Sequence, residues 1–413
     1  MAMTDPRLQG LAAAEAETLV LAARISLSPE EEARFQGLLD SGLDWDRLVT
    51  ASLRLRVYGL LYKHLSGSKG CGMAPSGIVE RLEQEYRVQT VRSLALYGQI
   101  ARILDVAGGQ GIDVLLLKGA WLARWVYRDP ALRPFDDIDL LCREEDVPGL
   151  SAVLRELGYR PWPSLDRSRV HARMFSRLFH HLPPFDKPGG ARVELHTSLV
   201  PDLAGRLGIA EAVWRRALGV AWDGRRAYVL SPEDQVFHLS SHLAKHLETG
   251  ALTLAWFCDI HEVVRAFSQS LDWGSIAGLA AAARNERRLC GLWRQLSTHW
   301  GTPIPGGLTG GPVAAPPVPD LPALIGNGLD ARPEAGTIRT YARYLKEARG
   351  LPSARERLVY LWKQVFPDGE YLRLKYRIPE GRRLHPYYSY HLFVGLRSVW
   401  RDLVWMLRAA LKP

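Results

Sequence analysis

The chain has 413 residues, 47% of them hydrophobic, and a formal net charge of +9. That length supports a sizeable core spread over two or three domains. The opening Met1–Gly10 lacks a basic-then-apolar leader, and no apolar run of about 18 residues occurs, so secretion and a spanning helix are both argued against. The cysteines, Cys71, Cys142, Cys258 and Cys290, are scattered singly, which excludes a disulfide framework or a CxxC zinc site and points to a reducing cytoplasm. Residues 341–413 hold 15 Lys+Arg against 6 Asp+Glu, a surplus equal to the whole net charge. The remainder of the chain is therefore close to neutral, and a high pI does not by itself mark a nucleic-acid surface.

In chain order, Ser28-Pro29-Glu30-Glu31-Glu32 combines an N-cap, a proline at the first helical position and acids in the first turn, and so predicts a helix. Helical apolar spacing continues through Leu48, Leu53, Val57, Leu60 and Leu61. A loop with Gly67, Gly70, Gly72 and Pro75 then precedes a long helix ending near Gly108-Gly109. The pattern changes at Ile112. Ile112 to Leu117 reads as a buried strand, Ala120 to Val126 as a helix, Ile138 to Cys142 as a second buried strand and Val147 to Leu157 as a helix ending at Gly158. Met174 to Leu182 and Arg192 to Leu195 read as strands, the second preceded by the turn Asp186-Lys187-Pro188-Gly189-Gly190. A short strand at Ala227 to Leu230 leads to a helix capped by Ser231-Pro232-Glu233-Asp234, and helical spacing runs to about Trp300. Gly301 to Pro322 has linker composition, and the tail from about residue 338 is helical, basic and aromatic.

The chemistry gathers around the two central strands. Alternate strand residues share a face, so Asp137 and Asp139 point one way, about 7 Å apart by strand rise, while Ile138 and Leu140 enter the core. Such a pair is costly without a cation between its members. In Val193-Glu194-Leu195-His196 the same alternation sets Glu194 and His196 opposite Val193 and Leu195. A third carboxylate from Glu194 would complete a two-metal set of the kind that clamps the attacking and leaving oxygens of a phosphoryl displacement, and Glu194 could also act as a base. Lys118-Gly119 sits at a strand-to-helix junction, where backbone N–H groups, a closely approaching glycine and a lysine charge favour phosphate. Lys118 could equally pair with one of the aspartates, and Arg133 could serve a nucleotide or a structural salt bridge.

Residues 36–265 resemble an uncharacterised bacterial nucleotidyltransferase family of the DNA polymerase beta superfamily. The resemblance rests on Leu117-Lys118-Gly119-Ala120, on Asp129-Pro130-Ala131-Leu132-Arg133-Pro134 leading into Asp137-Ile138-Asp139-Leu140-Leu141, on Val193-Glu194-Leu195-His196, and on Ser231-Pro232-Glu233-Asp234 with His242, His246 and Asp259 downstream. It implies transfer of a nucleoside monophosphate from an NTP to an acceptor hydroxyl or phosphate, with Mg2+ or Mn2+ and release of pyrophosphate. Catalytic and metal residues would be Asp137, Asp139 and Glu194; nucleotide contacts would come from Lys118, Gly119, Arg133 and His242. Two departures from the superfamily pattern stand out: Ala120 replaces the serine that usually follows the glycine, and the gap from Gly119 to Asp137 is long.

The expected fold is α+β, with a polymerase-beta-like α/β core and mixed sheet flanked by N-terminal and C-terminal helical regions. Its divisions are 1–104 (helical), 105–225 (nucleotidyltransferase core), 226–300 (helical, packed on the core), 301–337 (Gly/Pro-rich linker) and 338–413 (basic, helical). His238, His242 and His246 recur at helical spacing and share a face, without the glutamate of an HExxH motif. A mixture of internal packing and nucleotide contact is expected there, and His180, His181 and His196 are candidates for the same cleft. The final helix, from about Leu392 to Leu411, carries Leu396, Val399, Trp400, Leu403, Val404 and Leu407 on one side and arginines on the other. This suggests docking on the protein itself or, through residues 387–413, a peripheral membrane or protein contact. Two other functions fit the same fold: an inactive adaptor working through the basic tail, and a toxin-type enzyme modifying tRNA. The neutral catalytic region disfavours a nucleic-acid partner.

Overall fold

The structure, a computed structural model, describes residues 13–67, 70, 72–161, 181–200, 209–249, 253–309, 345, 348–349, 353–367, 369, 372–373, 376, 378–379 and 381–410. The expected strand at Met174 to Leu182 falls outside them except for its end, as does most of the expected linker. The chain forms two compact units, Met1–Leu141 with Glu211–Pro333, and Cys142–Ala210 with Glu334–Pro413. The segment 105–225, expected as one core, is thus divided between them.

In the first unit, α1 (Ala13–Ala22), α2 (Pro29–Leu39), α3 (Trp45–Arg54), α4 (Tyr58–Ser66) and α5 (Ser76–Gly109) precede the sheet. The helix start read from Ser28 is present as a reciprocal capping box, with Ser28 accepting from Glu31 N and Glu31 accepting from Ser28 N. Helix α3 stops because Arg56 turns left-handed at φ 62°, letting Val57 N donate to Ser52 O. This is the closure glycine usually provides, and an arginine makes it at a steric cost. Helix α5 closes the same way through Gly111 (φ 72°), with Ile112 N donating to Ala107 O. Ile112 is therefore spent on the helix cap, and β1 shrinks to Leu115–Leu116.

Next come α6 (Lys118–Trp121), a π-turn (Leu122–Val126) and β2 (Asp137–Leu141). After the second unit's residues the chain returns through α7 (Ile209–Arg216), β3 (Leu218–Trp222) and β4 (Arg225–Val229). Strand β1 pairs antiparallel with β2 and parallel with β4, and β3 pairs antiparallel with β4, giving the order β2-β1-β4-β3 and a mixed sheet. The β3–β4 hairpin turns on Asp223-Gly224 (φ 48° and 81°), the two-residue Asp-Gly loop whose twist matches the flanking strands. Strand β3 was not expected, although that dipeptide announces it. The sheet also runs past residue 225, where the core was expected to end. Leu115, Leu116, Ile138 and Leu140 are all fully buried, each worth about 1.5–3 kcal/mol relative to exposure. Helices α8 (Pro232–Thr249), α9 (Leu254–Phe267), α10 (Trp273–Ala282), α11 (Glu286–Trp300) and α12 (Gly306–Thr309) complete the unit, α9 being buried along most of its length.

In the second unit a helix at Val147–Glu156 ends in a left-handed Gly158 (φ 89°), with Tyr159 N donating to Leu154 O, as the glycine predicted. Three short strands, Arg160–Pro161, Phe185–Asp186 and Arg192–His196, form an antiparallel ladder around the predicted turn. Cys142 N donates to His196 O, and His181 and His196 form an isolated bridge. Helices Ala354–Val365 and His385–Ala410 follow. The last helix starts earlier than expected and leaves Tyr390, Phe393 and Leu396 exposed; the side chains of 398–410 lie outside the described residues. Among the described residues no helix is long and apolar enough to cross a membrane. The fold is α+β with a mixed sheet, as expected.

Candidate active site

Strand β2 carries the acidic pair. The alternation predicted from sequence holds for the core side: Ile138 and Leu140 are fully buried, while Asp137 keeps partial exposure. Asp139 is 3% exposed and accepts a 2.9 Å ion pair from Lys118 Nζ. Lys118 thus pairs with the aspartate, one of the two roles its position allowed. Burial, and then the neighbouring Asp139, push the Asp137 carboxyl up to about 6, with Lys118 and Arg133 pulling the other way. Such a carboxyl gains from a cation brought beside it.

Lys118 adopts φ 45°, a left-handed backbone that non-glycine residues rarely take, at the junction of β1 and α6. Strain of this kind costs on the order of 1–3 kcal/mol and persists where surroundings hold it. Here the ion pair with Asp139 and the hydrogen bond from Leu117 N to Asp139 O do so. Gly119 is required for a reason the sequence did not reveal: a Cβ there would lie 2.5 Å from Phe135 Cβ. Its missing side chain admits the Phe135 ring, so α6 can start directly over the residue that leads into the acidic strand.

Arg133 is buried and bonded inside the protein. Its Nε and Nη2 bond Asp259 at 2.7–3.0 Å, Nη1 donates to Pro134 O at 2.6 Å, and Asp259 is completely buried. Tyr127 Oη donates to the same carboxylate at 2.9 Å. These bonds form an internal clamp that ties residues 127–135 to α9, the structural salt bridge that was one of the two roles open to Arg133, with the guanidinium fork meeting one buried carboxylate and a carbonyl. Asp259 stands among the residues that carry the family resemblance, but its partner lies 126 residues away and nothing beside it in the chain names Arg133.

His242 lies within electrostatic reach of Lys118 and Asp139. Burial first, and then Lys118, hold its imidazole well below the usual histidine value. His246 is pushed down to about 4 by burial, then by Lys245 and Lys118. The rings of His242, His246 and Trp256 pack together, with centroids 4.5–5.1 Å apart, so the histidine face is a neutral aromatic cluster next to Lys118. Trp256 was not expected in it. His238 is buried at 1% exposure.

In the second unit, the strand Arg192–His196 buries Val193 and Leu195 and turns Glu194 and His196 to the other face, as alternation required. Glu194 Oε2 lies 3.7 Å from His196 Nε2 and 4.0 Å from His181 Nε2. His180 falls outside the described residues.

The model of a family described as uncharacterised nucleotidyltransferase matches residues 41–300, more than half of the chain. The chain belongs to that family. The matched segment contains every candidate site residue named above, so the family supplies the coarse activity: a nucleotidyltransferase. No curated protein matches the chain by sequence. Among solved structures, ANT(2″)-Ia in complex with adenylyl-2″-tobramycin is similar at 20% identity, over 46% of this chain and 96% of that one, with a TM-score of 0.30. A solution structure of the antibiotic-resistance factor ANT(2″)-Ia is similar at 16% identity, over 52% and 98%, with a TM-score of 0.33. An antigenic nucleotidyltransferase-like protein from Paracoccidioides brasiliensis is similar at 16% identity, over 51% and 94%, with a TM-score of 0.30. At these scores the three likenesses add nothing to the family assignment.

Proposed function

We propose that the chain transfers a nucleoside monophosphate from an NTP to an acceptor hydroxyl or phosphate, with Asp137 and Asp139 of β2 as the carboxylates that hold divalent metal. The observation that carries this reading is the family-matched acidic strand, where the Asp137 carboxyl is raised to about 6 beside Asp139. An all-oxygen donor set on a rigid strand fits a hard divalent cation. When bound, the metal supplies Lewis-acid polarisation of the phosphate oxygens.

The remaining roles belong to the protein. Lys118, strained and already paired with Asp139, holds positive charge at the start of α6, where a triphosphate would meet free backbone N–H groups. Neutral His242 and His246 with Trp256 offer a ring surface beside it. The acceptor oxygen forms a bond to the α-phosphorus while the bond to the bridging oxygen breaks; pyrophosphate leaves, and the acceptor proton passes to solvent. The enzyme is expected in the cytoplasm.

Calorimetric titration of each of the four NTPs, with Mg2+ or Mn2+, into wild type and Asp137→Asn tests the reading. One nucleotide binding only with metal, and at least tenfold more weakly to the variant, is the expected result. Equal binding to both proteins, or binding indifferent to metal, would remove the carboxylates from the proposed role.

A further inference from the structure

The C-terminal part of the second unit leaves apolar side chains in solvent after it has packed on itself. Tyr360, Leu372 and Ile378 are buried there. Tyr388 Oη donates to Pro367 O at 2.9 Å, Tyr376 Oη and His391 Nδ1 share a 2.8 Å hydrogen bond, and Gly369 admits the Leu384 side chain. With these contacts made, Leu358 is 69% exposed, Trp362 61%, Tyr390 53%, Phe393 60% and Leu396 71%. They form two helical stripes: Leu358 and Trp362 stand four apart on Ala354–Val365, and Tyr390, Phe393 and Leu396 stand three apart on His385–Ala410. Single exposed apolar residues are ordinary on a surface, whereas stripes at helical spacing, each holding an aromatic ring, mark a surface that something covers.

The charge around the stripes identifies what covers them. Residues 382–413 hold 6 Lys+Arg against 1 Asp+Glu, and Arg355, Arg382, Arg383 and Arg397 are exposed. A second copy of the chain would bring two such surpluses together, and like charge opposes that association. An anionic surface is attracted instead. Trp and Tyr beside Arg are the residue types that settle at a lipid–water boundary, with the apolar body toward the acyl chains and the polar end among the headgroups. Among the described residues no helix is long and apolar enough to cross a membrane, so contact of this kind lies in the plane of the surface.

We propose that the helices Ala354–Val365 and His385–Ala410 dock the protein on anionic phospholipid. Trp362, Phe393 and Leu396 enter the boundary between headgroups and acyl chains, while Arg355, Arg382, Arg383 and Arg397 meet headgroup phosphates. Docking of this kind requires nothing of the acidic strand, so it stands or falls separately from nucleotidyl transfer.

The test is flotation of the full-length protein with phosphatidylcholine vesicles, either alone or containing about 30% phosphatidylserine. Wild type is compared with Trp362→Ser, Phe393→Ser/Leu396→Ser and Arg382→Gln/Arg383→Gln, with thermal melts as the folding check. Wild type should float with the anionic vesicles and not with the neutral ones, and the arginine variant should bind about tenfold or more weakly. Part of the wild-type binding should persist at about 0.5 M salt, where charge attraction is screened, and the two apolar variants should lose that part. The wild-type results decide by themselves, so a variant that fails to fold leaves the test intact. No flotation with anionic vesicles, equal flotation with neutral ones, or wild-type binding abolished by salt would each overturn the proposal. So would a dimeric mass by light scattering that Phe393→Ser/Leu396→Ser returns to monomer, because the face would then belong to a second copy.

Discussion

Asp259→Ala should be among the most destabilising single changes in the first unit, although Asp259 touches nothing proposed to react. The side chains of Arg133 and Asp259 are 8% and 0% exposed, and their ion pair has a second donor in Tyr127. Removing the carboxylate strands a guanidinium and a hydroxyl in the core, and breaking a buried pair in this way costs about 3–5 kcal/mol. For a unit of this size that corresponds to a fall in Tm of roughly 6–20 °C. Urea unfolding followed by tryptophan fluorescence would measure it, with the double variant Arg133→Met/Asp259→Leu as the comparison. Replacing both charges by apolar groups removes the unpaired ion, so the double variant should lose clearly less than Asp259→Ala. If Asp259→Ala lies within about 1 kcal/mol of wild type, the clamp is not a major source of stability. If Arg133→Met abolishes nucleotide binding at unchanged stability, Arg133 is a ligand contact after all.

Two further outcomes follow from particular contacts. Gly119→Ala drives a methyl to 2.5 Å from Phe135 Cβ, so it should cost about 1–3 kcal/mol by overpacking, and Gly119→Ala/Phe135→Leu should recover part of that loss in the same unfolding assay; an unperturbed single variant would show that the junction can shift. Stability should also fall in mild acid, because burial, and then Arg24 and Arg265, hold His261 down to about 3 in the folded chain against 6.5 when unfolded. Below pH 6.5 the unfolded chain takes up a proton the folded one refuses, so the stability present above that value is lost as pH falls toward 3. The loss from His261 is on the order of 2 kcal/mol by pH 5. Glu262, raised by burial, works in the opposite sense at the acid end. Urea midpoints at pH 7.5, 6 and 5 check this, and a midpoint that holds or rises toward pH 5 would refute it.

Local chemistry was legible in the sequence wherever neighbours along the chain decide the outcome. The Ser28 cap, the Gly158 helix end, the turn before the Glu194 strand and the alternation that buries Ile138 and Leu140 are all contacts within a few residues, and propensity and periodicity report those. The Asp223-Gly224 hairpin was equally local and went unread, along with the strand it closes. The acidic pair with its Lys118-Gly119 junction stood out for the same reason: alternation and a strand-to-helix step are properties of short segments.

What only the tertiary structure decided is which partner each charged residue takes. Arg133 chooses Asp259 and Lys118 chooses Asp139, although sequence allowed either residue to face a nucleotide. Gly119 is demanded by its packing on Phe135, and His181 and His196 meet through a bridge between segments with no common periodicity. The physical reason is shared by all four. A buried ion or a close packing contact is set by whatever group the fold brings within about 3–4 Å, and that identity is absent from the residues on either side.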